Sequence, residues 1–383
     1  MPKAPILILF ANLKSNLGDL AILHAMLVDL ARHYPGHPVR VASHGQHEVD
    51  QARVDGMMER LPSRFEYVGK LPFRRMPRIL SLFKRLGFSR KVGDALVTRW
   101  TAEFASHPVI KSAGECAAVF FAGGEQWSGF SHSATMFAVL EAVAQHNKEI
   151  RMHPFSVKKR LLENHGHARL VAYFAKFRGG MVLRDGHSAA ILRQVRGDAV
   201  SGADCVFMLS ETASELTRQS PVCASGPITL AVTCGRGAGA DDLKSAILSL
   251  QQAGHTVRLM TSCEKEDAAD LQRLADETGA SYLAPLTWQD TVMEFRQSSL
   301  VVTNRLHCMI FTLFAEAPLL PLLNREKVVG VRKDAGLTHA IRDLGELDAG
   351  MVAQCLLDRS LILSEMAAYR ASSARNRLSP MTS

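Results

Sequence analysis

The chain lacks the cysteine arrangements that build disulfide frameworks and zinc sites. Its 383 residues include seven cysteines, and no two of them form a Cys-x-x-Cys motif. An odd number of scattered cysteines is typical of a protein in a reducing compartment. The pattern therefore predicts a cytoplasmic protein with no zinc site and no disulfide framework.

Long apolar runs and dinucleotide-binding glycines are also absent. No stretch reaches the ~18 consecutive apolar residues that a membrane span needs, and the apolar run after Pro5 is too short for a signal peptide. The pattern G-x-G-x-x-G does not occur, which argues against the dinucleotide fingerprint. The remaining composition, 47% hydrophobic and 21% charged, describes a folded protein, and the length favours two domains.

No acidic residue lies between Glu66 and Asp94, so positive charge is concentrated in this part of the chain. The formal net charge of the whole chain is +8. Residues 70–99, the basic insert, interleave cations with large apolar side chains. Such a segment suits peripheral contact with an anionic membrane or binding of an acidic glycan, and a solvated helix face is the alternative. No helix-turn-helix, zinc finger or aromatic RNA-binding pattern accompanies it, so we expect no nucleic acid partner. The cations of the acid-free window are Lys70, Arg74, Arg75, Arg78, Lys84, Arg85, Arg90 and Lys91.

Apolar strand-like runs alternate with helix-like segments along most of the chain. Continuous apolar strands of this kind are typical of parallel sheets covered on both faces. The pattern predicts an α/β protein with two doubly wound, Rossmann-like domains, residues 1–210 and 227–348, joined by a Ser-, Thr- and Pro-rich linker at 211–226. Residues 349–383 are predicted as one long helix and a disordered tail. A ligand should lie in the cleft between the domains.

The segment from Thr303 to Phe311 is the most informative part of the sequence. The apolar run before it ends at Arg305 and His307, and an apolar helix begins at once. A strand that ends in cationic groups beside a helix N-terminus is where open α/β sheets bind anions. A surface arginine beside a half-buried histidine is the structural alternative.

A second corner lies where the first strand turns into the first helix. Gly18 lets the backbone approach a neighbour closely, and Asp19 either caps the helix or faces the cleft together with Asn16. A third corner holds Gly123 and Gly124, whose main-chain amides are expected near a ligand.

Further candidate side chains follow other predicted strands. Glu125 places a carboxylate beside the paired glycines, with loop solvation as the alternative. Arg184 follows another predicted strand, where a surface pairing with Asp185 is the alternative. His132 and His153 also lie near predicted strand ends, although a lone histidine is more often structural.

Together these corners resemble the polysaccharide pyruvyl transferase family. The resemblance spans about residues 5–332 and is most specific at Asn304-Arg305-Leu306-His307. The chain departs from the family pattern at Glu125, Ala317 and Asn324. The other matching pieces are Asn16-Leu17-Gly18-Asp19, Phe121-Ala122-Gly123-Gly124, Leu183-Arg184-Asp185 with Ser188, and Phe311, Pro318 and Lys327.

The resemblance implies a glycosyltransferase-B-like fold with the acceptor on the N-terminal domain and the donor on the C-terminal domain. It implies that Arg184, Arg305 and Leu306 bind phosphoenolpyruvate as co-substrate, with His307 close by and with no other cofactor. The enolpyruvyl unit would move to hydroxyls of a bacterial surface-glycan sugar or its lipid-linked precursor. The products would be a pyruvate ketal and phosphate.

The chemistry of this reaction suits the residues on their own terms. Two anionic groups on one small molecule need at least two cations, and the arginine fork matches both phosphate and carboxylate. His307 is the candidate acid, and Asp19 or Glu125 is the candidate base. Two alternatives remain open: a glycosyltransferase that uses a nucleotide sugar, and a non-catalytic glycan-binding relative.

Overall fold

The computed structural model of the chain contains two five-stranded sheets of related design. It describes residues 2–14, 16–44, 48–61, 64–75, 88–127, 130–218, 220–233 and 239–376. Residues 76–87 of the basic insert lie outside the described residues, and so does the predicted tail from residue 377 onward. The strands β1 to β14 are Ile6–Ala11, Val39–Ser43, Phe65–Lys70, Ala118–Phe121, Gly124–Trp127, Ile150–Met152, Phe155–Val157, Val182–Leu183, Val200–Ser201, Ile228–Ala231, Val257–Met260, Ser281–Leu283, Leu300–Thr303 and Leu319–Pro321.

Helices separate nearly all of these strands in the chain. In the described parts they are numbered α1 to α16, and short 3-10 helices add Ser112–Glu115, Cys205–Leu209 and Leu344–Glu346. The α-helices are Leu17–His33, Gln51–Met58, Ser89–Phe104, Pro108–Lys111, Phe130–Val143, Arg160–Asn164, His167–Phe174, Gly186–Leu192, Ser210–Thr217, Ala240–Gln252, Glu264–Thr278, Trp288–Arg296, Leu306–Ala315, Glu326–Ala335, Ala349–Leu357 and Arg359–Arg375.

Both large sheets are parallel throughout. The N-terminal sheet has the order β3-β2-β1-β4-β6, and the C-terminal sheet has the order β12-β11-β10-β13-β14. Every residue of the central strands β1, β10 and β13 is buried, because helices cover both faces of each sheet. The predicted α/β class with two Rossmann-like domains is confirmed. In each sheet the strand order reverses beside the first strand, which is where such folds bind ligands.

A third, smaller sheet was not predicted. Its parallel order is β5-β7-β8-β9, and its strands are only two to four residues long. Two other segments also differ from the sequence interpretation. Residues 210–217, at the start of the proposed linker, form helix α9. The single helix predicted ahead of the C-terminal tail is two helices, α15 and α16.

Helix α1 joins the two halves of the molecule. The indole Nε1 of Trp288 on α12 donates to Nδ1 of the buried His24 on α1, at 3.0 Å. The amide of Leu17 donates to the carbonyl of Ser262 at 3.0 Å. Helix α16 then returns to the N-terminal half, where the Asn376 carbonyl accepts from the Ala203 amide at 3.2 Å. In the described parts of the chain, no helix has both the length and the apolar character needed to cross a bilayer.

Candidate functional site

The end of strand β1 is bent. Phe10 has φ 62°, and the pairing of β1 with β2 shifts register between Ile8 and Ala11. A large buried residue at positive φ is strained, and the surrounding structure must hold it there. After the bend, Asn12 and Asp19 both line a cavity that residues of the C-terminal half also line.

The two functions that the sequence left open for Asp19, capping the helix and facing the cleft, belong to two different residues. Asn16 is the residue that caps α1, since its Oδ1 accepts from the Gly18 amide at 3.0 Å. Asp19 lies in the first turn, and its Oδ2 accepts from Asn12 Nδ2 at 2.6 Å. Burial raises the pKa of Asp19, while the charges of Lys14 and other nearby cations oppose that rise. A carboxyl of this kind is suited to exchanging a proton.

Gly18 allows the two halves to meet. A Cβ atom built on Gly18 would lie 1.9 Å from Nδ1 of His307, far inside van der Waals contact. His307 stands in the first turn of α13 and belongs to the C-terminal half. The imidazole therefore occupies the space that any other residue at position 18 would fill.

Arg305 is held by two carboxylates of helix α11. Its Nη2 donates to Asp267 and, at 3.3 Å, to Oε2 of Glu266. Burial raises the pKa of Asp267 to about 6 even though the charge of Arg305 acts in the opposite direction. The Arg305 side chain is only 9% exposed, and its Nε has no hydrogen-bond partner among the described residues.

Arg184 is held in a similar way from the N-terminal half. Its Nη1 donates to Oδ2 of Asp204 at 2.8 Å, and its Nε donates to the Ser156 hydroxyl at 3.2 Å. The side chain is 4% exposed, and Nη2 has no hydrogen-bond partner in the described part of the chain. The predicted alternative, a surface pair with Asp185, is wrong, because Asp185 caps α8 and accepts from the Ser188 amide at 2.7 Å.

The paired glycines have different surroundings. Gly124 lines the cavity, but its amide donates to the Pro154 carbonyl at 3.3 Å and so supports the small sheet. A Cβ on Gly123 would lie 2.5 Å from the same carbonyl oxygen, so this glycine permits close backbone packing. The backbone of Glu125 belongs to β5, and its side chain lies outside the described residues.

The two histidines near strand ends have separate surroundings. His132 lines the cavity and stacks on His44, with ring centroids 4.5 Å apart. His153 is fully buried beside Phe120. Burial lowers the pKa of His153 to about 3, which fits a neutral core residue.

The corners of both halves converge on one cavity of about 320 Å³. No group of three metal-binding side chains occurs among the residues described by the structure. The cavity contains five cationic side chains and Asp19, which suits an anionic ligand. Its lining residues are Asn12, Lys14, Asn16, Asp19, Ile22, His44, Gly124, His132, Arg184, Ser262, Asn304, Arg305, Leu306, His307, Arg325, Lys327 and Val328.

Sequence reasoning missed the carboxylates that hold the arginines. Asp204, Glu266 and Asp267 lie far in the chain from the motifs that they support, and no local pattern marks them. Lys14 could have been predicted as a site residue, because it lies two residues before Asn16. Asn304 proves structural, since its Oδ1 accepts from the Thr233 amide at 2.9 Å and ties β13 to β10.

Comparison with known proteins gives one family and many structures of the same architecture. A family model described as polysaccharide pyruvyl transferase matches residues 16–326. No curated protein matches the chain. A putative UDP-N-acetylglucosamine 2-epimerase from Listeria monocytogenes is similar with TM-score 0.58 and 10% identity, over 98% of this chain and 92% of that one.

Two further solved structures show the same arrangement. The UDP-GlcNAc 2-epimerase from Methanocaldococcus jannaschii has TM-score 0.55 and 8% identity, over 97% of this chain and 98% of that one. The Anabaena protein HepE, solved in complex with UDP, has TM-score 0.54 and 13% identity, over 97% and 95%. At these identities the likeness shows the fold alone, which is glycosyltransferase-B-like.

Proposed function

The chain belongs to the polysaccharide pyruvyl transferase family, and from this premise we propose that it uses phosphoenolpyruvate to place a pyruvate ketal on a sugar of a bacterial cell-envelope glycan or its lipid-linked precursor. One observation carries the proposal. Two buried arginines from opposite halves, each with one nitrogen lacking a hydrogen-bond partner among the described residues, meet His307 at a single cavity.

The unpaired nitrogens favour a ligand with two anionic groups. Leaving a buried donor unsatisfied costs about 1–3 kcal/mol, and more when the group is charged. A bound anion would remove that cost at Arg184 and at Arg305. Phosphoenolpyruvate carries a phosphate and a carboxylate on one small frame, so it can pair with both guanidinium groups at once.

The chemical steps can be assigned to residues at the cavity. His307 delivers a proton to the methylene carbon C3, and positive charge develops at C2. A first sugar hydroxyl adds to C2 and gives its proton to Asp19. Phosphate then leaves C2, with Arg184 and Arg305 stabilising its charge, and a second hydroxyl closes the ketal and gives its proton to the departing phosphate. The sum is one phosphoenolpyruvate and one diol giving one ketal and one phosphate.

The test is an assay of phosphate release with a mass measurement on the acceptor. Purified protein is incubated with phosphoenolpyruvate and either lipid-linked oligosaccharides or nucleotide sugars. We expect phosphate in equal amount to a product that has gained pyruvate less one water. An acceptor that never gains this mass while phosphoenolpyruvate stays intact contradicts the proposal.

Two rival functions have their own outcomes in the same assay. Arg305 beside the N-terminus of α13 suits a diphosphate as well as a phosphate. Sugar transfer from a nucleotide sugar without phosphoenolpyruvate would show a glycosyltransferase. Glycan binding by calorimetry without turnover of any donor would show a non-catalytic relative.

We also propose that the basic insert brings the cavity to an anionic membrane surface. Each Lys or Arg near such a surface contributes on the order of 1 kcal/mol, and several cations of the insert act together. Co-sedimentation with anionic vesicles at low salt is expected, with loss of binding at high salt. In the control variant, five cations are replaced by Glu: Arg74, Arg75, Arg78, Lys84 and Arg85. Unchanged vesicle binding by this variant would contradict the proposal.

A further inference from the structure

The carboxylate of Asp204 faces side chains from both halves of the molecule. It follows the small sheet and begins the 3-10 helix Cys205–Leu209, which packs on α1. The side chain is buried, with 5% of the residue exposed. It faces Arg184 of the N-terminal half and His307 of the C-terminal half.

The two oxygens of this carboxylate have separate partners. Oδ1 accepts from the Val206 amide at 3.0 Å, a backbone contact that anchors this end of the carboxylate. Oδ2 is thereby directed to the cavity side, where it accepts from Arg184 Nη1 at 2.8 Å and lies 3.7 Å from His307 Nε2. One oxygen atom thus contacts the guanidinium and lies near the imidazole.

Charge favours this arrangement. Burial alone opposes ionisation, but the charge of Arg184 and the nearby His307 outweigh it and hold the pKa of Asp204 below its usual range. The carboxylate therefore stays ionised across the pH range in which a histidine titrates.

We propose that Asp204 is a positioning residue that holds the guanidinium of Arg184 and the imidazole of His307 at a fixed separation across the cleft. This inference rests on the proposed function for its kinetic readout. An anion on Arg184 and a proton donor at His307 must face the same substrate, and a displacement of about 1 Å can cost about 100-fold in rate. A shared, backbone-anchored carboxylate fixes their separation.

The kinetic test is a double-mutant cycle. Asp204→Asn is expected to lower kcat/KM for phosphoenolpyruvate by about 100-fold, and Asp204→Glu should restore part of the loss. Combined with His307→Gln or with Arg184→Gln, Asp204→Asn should add little further loss, because its effect acts through those groups. Losses that simply add in both pairs would show a purely structural role and overturn the inference.

Asp198→Asn is the matched control. Asp198 forms an ion pair with Arg196 at the same 2.8 Å distance, but its side chain is 53% exposed and it does not line the cavity. This variant should retain wild-type kinetics.

A second readout does not depend on the reaction. In protein with labelled histidine, the ring signals of His307 are identified by their loss in His307→Gln. They should move in Asp204→Asn and remain in place in Asp198→Asn, and an unmoved signal in folded Asp204→Asn overturns the inference. If wild-type protein leaves phosphoenolpyruvate intact, the proposed function fails while this readout still decides the role of Asp204.

A second variant tests the inference if Asp204→Asn does not fold. That variant leaves the Arg184 charge buried without its carboxylate, which destabilises proteins strongly. The double variant Asp204→Asn with Arg184→Gln removes both charges. In that protein the His307 signals should again move, and a wild-type position for them would refute the inference.

Discussion

The two arginines differ at the residue scale in how their charge is balanced. Arg184 faces one carboxylate whose pKa is lowered, so its partner remains ionised. Arg305 faces Glu266 and Asp267, and burial raises the pKa of Asp267 to about 6. At mildly acidic pH, Arg305 therefore loses part of its counter-charge, whereas Arg184 does not.

Replacing either arginine by lysine should weaken donor binding. Arg184→Lys and Arg305→Lys keep the charge but lose the planar fork that pairs with two oxygens. We expect a raised KM for phosphoenolpyruvate, a nearly unchanged acceptor KM, and weaker donor binding in calorimetry. Arg40→Lys is the control, since Arg40 pairs with Glu66 and Glu115 outside the cavity. Unchanged donor affinity in both variants would refute the assignment.

Loss of the imidazole should affect turnover rather than binding. His307→Gln is expected to fold and to lower kcat by at least about 100-fold, because proton transfer by a positioned group contributes that much. His339→Gln is the matched control, because His339 also faces an aspartate, Asp358, at 2.9 Å, but outside the cavity. A kcat near the wild-type value would exclude His307 from the proton transfer.

At the scale of elements, Gly18 links the start of α1 to the start of α13. Gly18→Ala places a methyl group where Nδ1 of His307 lies, so the imidazole must move. We expect a loss of about 100-fold in kcat. Stability should fall as well, because the methyl group would also lie 2.8 Å from Cβ of His307, and this clash outweighs the higher helix propensity of alanine. Circular dichroism and kinetics on the same sample separate the two effects.

Gly330→Ala provides the comparison for this prediction. Gly330 lies within α14, and a Cβ there would meet nothing within 4 Å. Stability should rise slightly in this variant and kcat should stay the same. Equal kinetics in Gly18→Ala and Gly330→Ala would show that the approach of His307 to α1 is not needed for turnover.

Some elements are readable from the sequence and others depend on distant partners. The apolar run that starts at Leu300 and ends in polar residues predicts a strand over residues 300–303, and β13 has these bounds. The sequence pattern of residues 158–177 predicts one helix, but the structure breaks it at His165, whose Nε2 lies 3.0 Å from the buried Ser133 hydroxyl. That contact joins segments remote in sequence, so periodicity alone does not reveal it.

The same distinction applies to the cavity. His307 and Arg305 are predicted to lie there because a strand end and a helix start coincide. The positions of Asp204 and Asp267 follow from how two sheets pack, and a single sequence carries no local trace of that packing. The strain at Phe10 is equally hidden, since an apolar residue in an apolar run predicts ordinary strand geometry.

For the whole molecule, two buried histidines predict sensitivity to acid. Burial lowers the pKa of His24 to about 4 and that of His153 to about 3, whereas both titrate near 6.5 when unfolded. The unfolded state therefore binds more protons, so their contribution is complete above about pH 6.5 and is lost as pH falls through the folded pKa values. The loss by pH 4 is roughly 3 kcal/mol for each histidine.

Urea unfolding at pH 7 and pH 4 measures this loss. His153→Leu should reduce the difference between the two pH values by roughly 3 kcal/mol. The exposed His187, changed to Gln, should leave the difference unaltered. An unchanged difference in folded His153→Leu would show that this histidine does not control the acid response.

The return of helix α16 to the N-terminal half has a mechanical consequence. The chain passes from the first sheet to the second near α9 and comes back where Asn376 meets Ala203. Arg370 of α16 donates to the Ser214 hydroxyl of α9 at 2.5 Å, so the outgoing and returning segments lie side by side and can act as one hinge. We expect substrate entry to open the cavity by rotation about this hinge, which would separate Gly18 from His307.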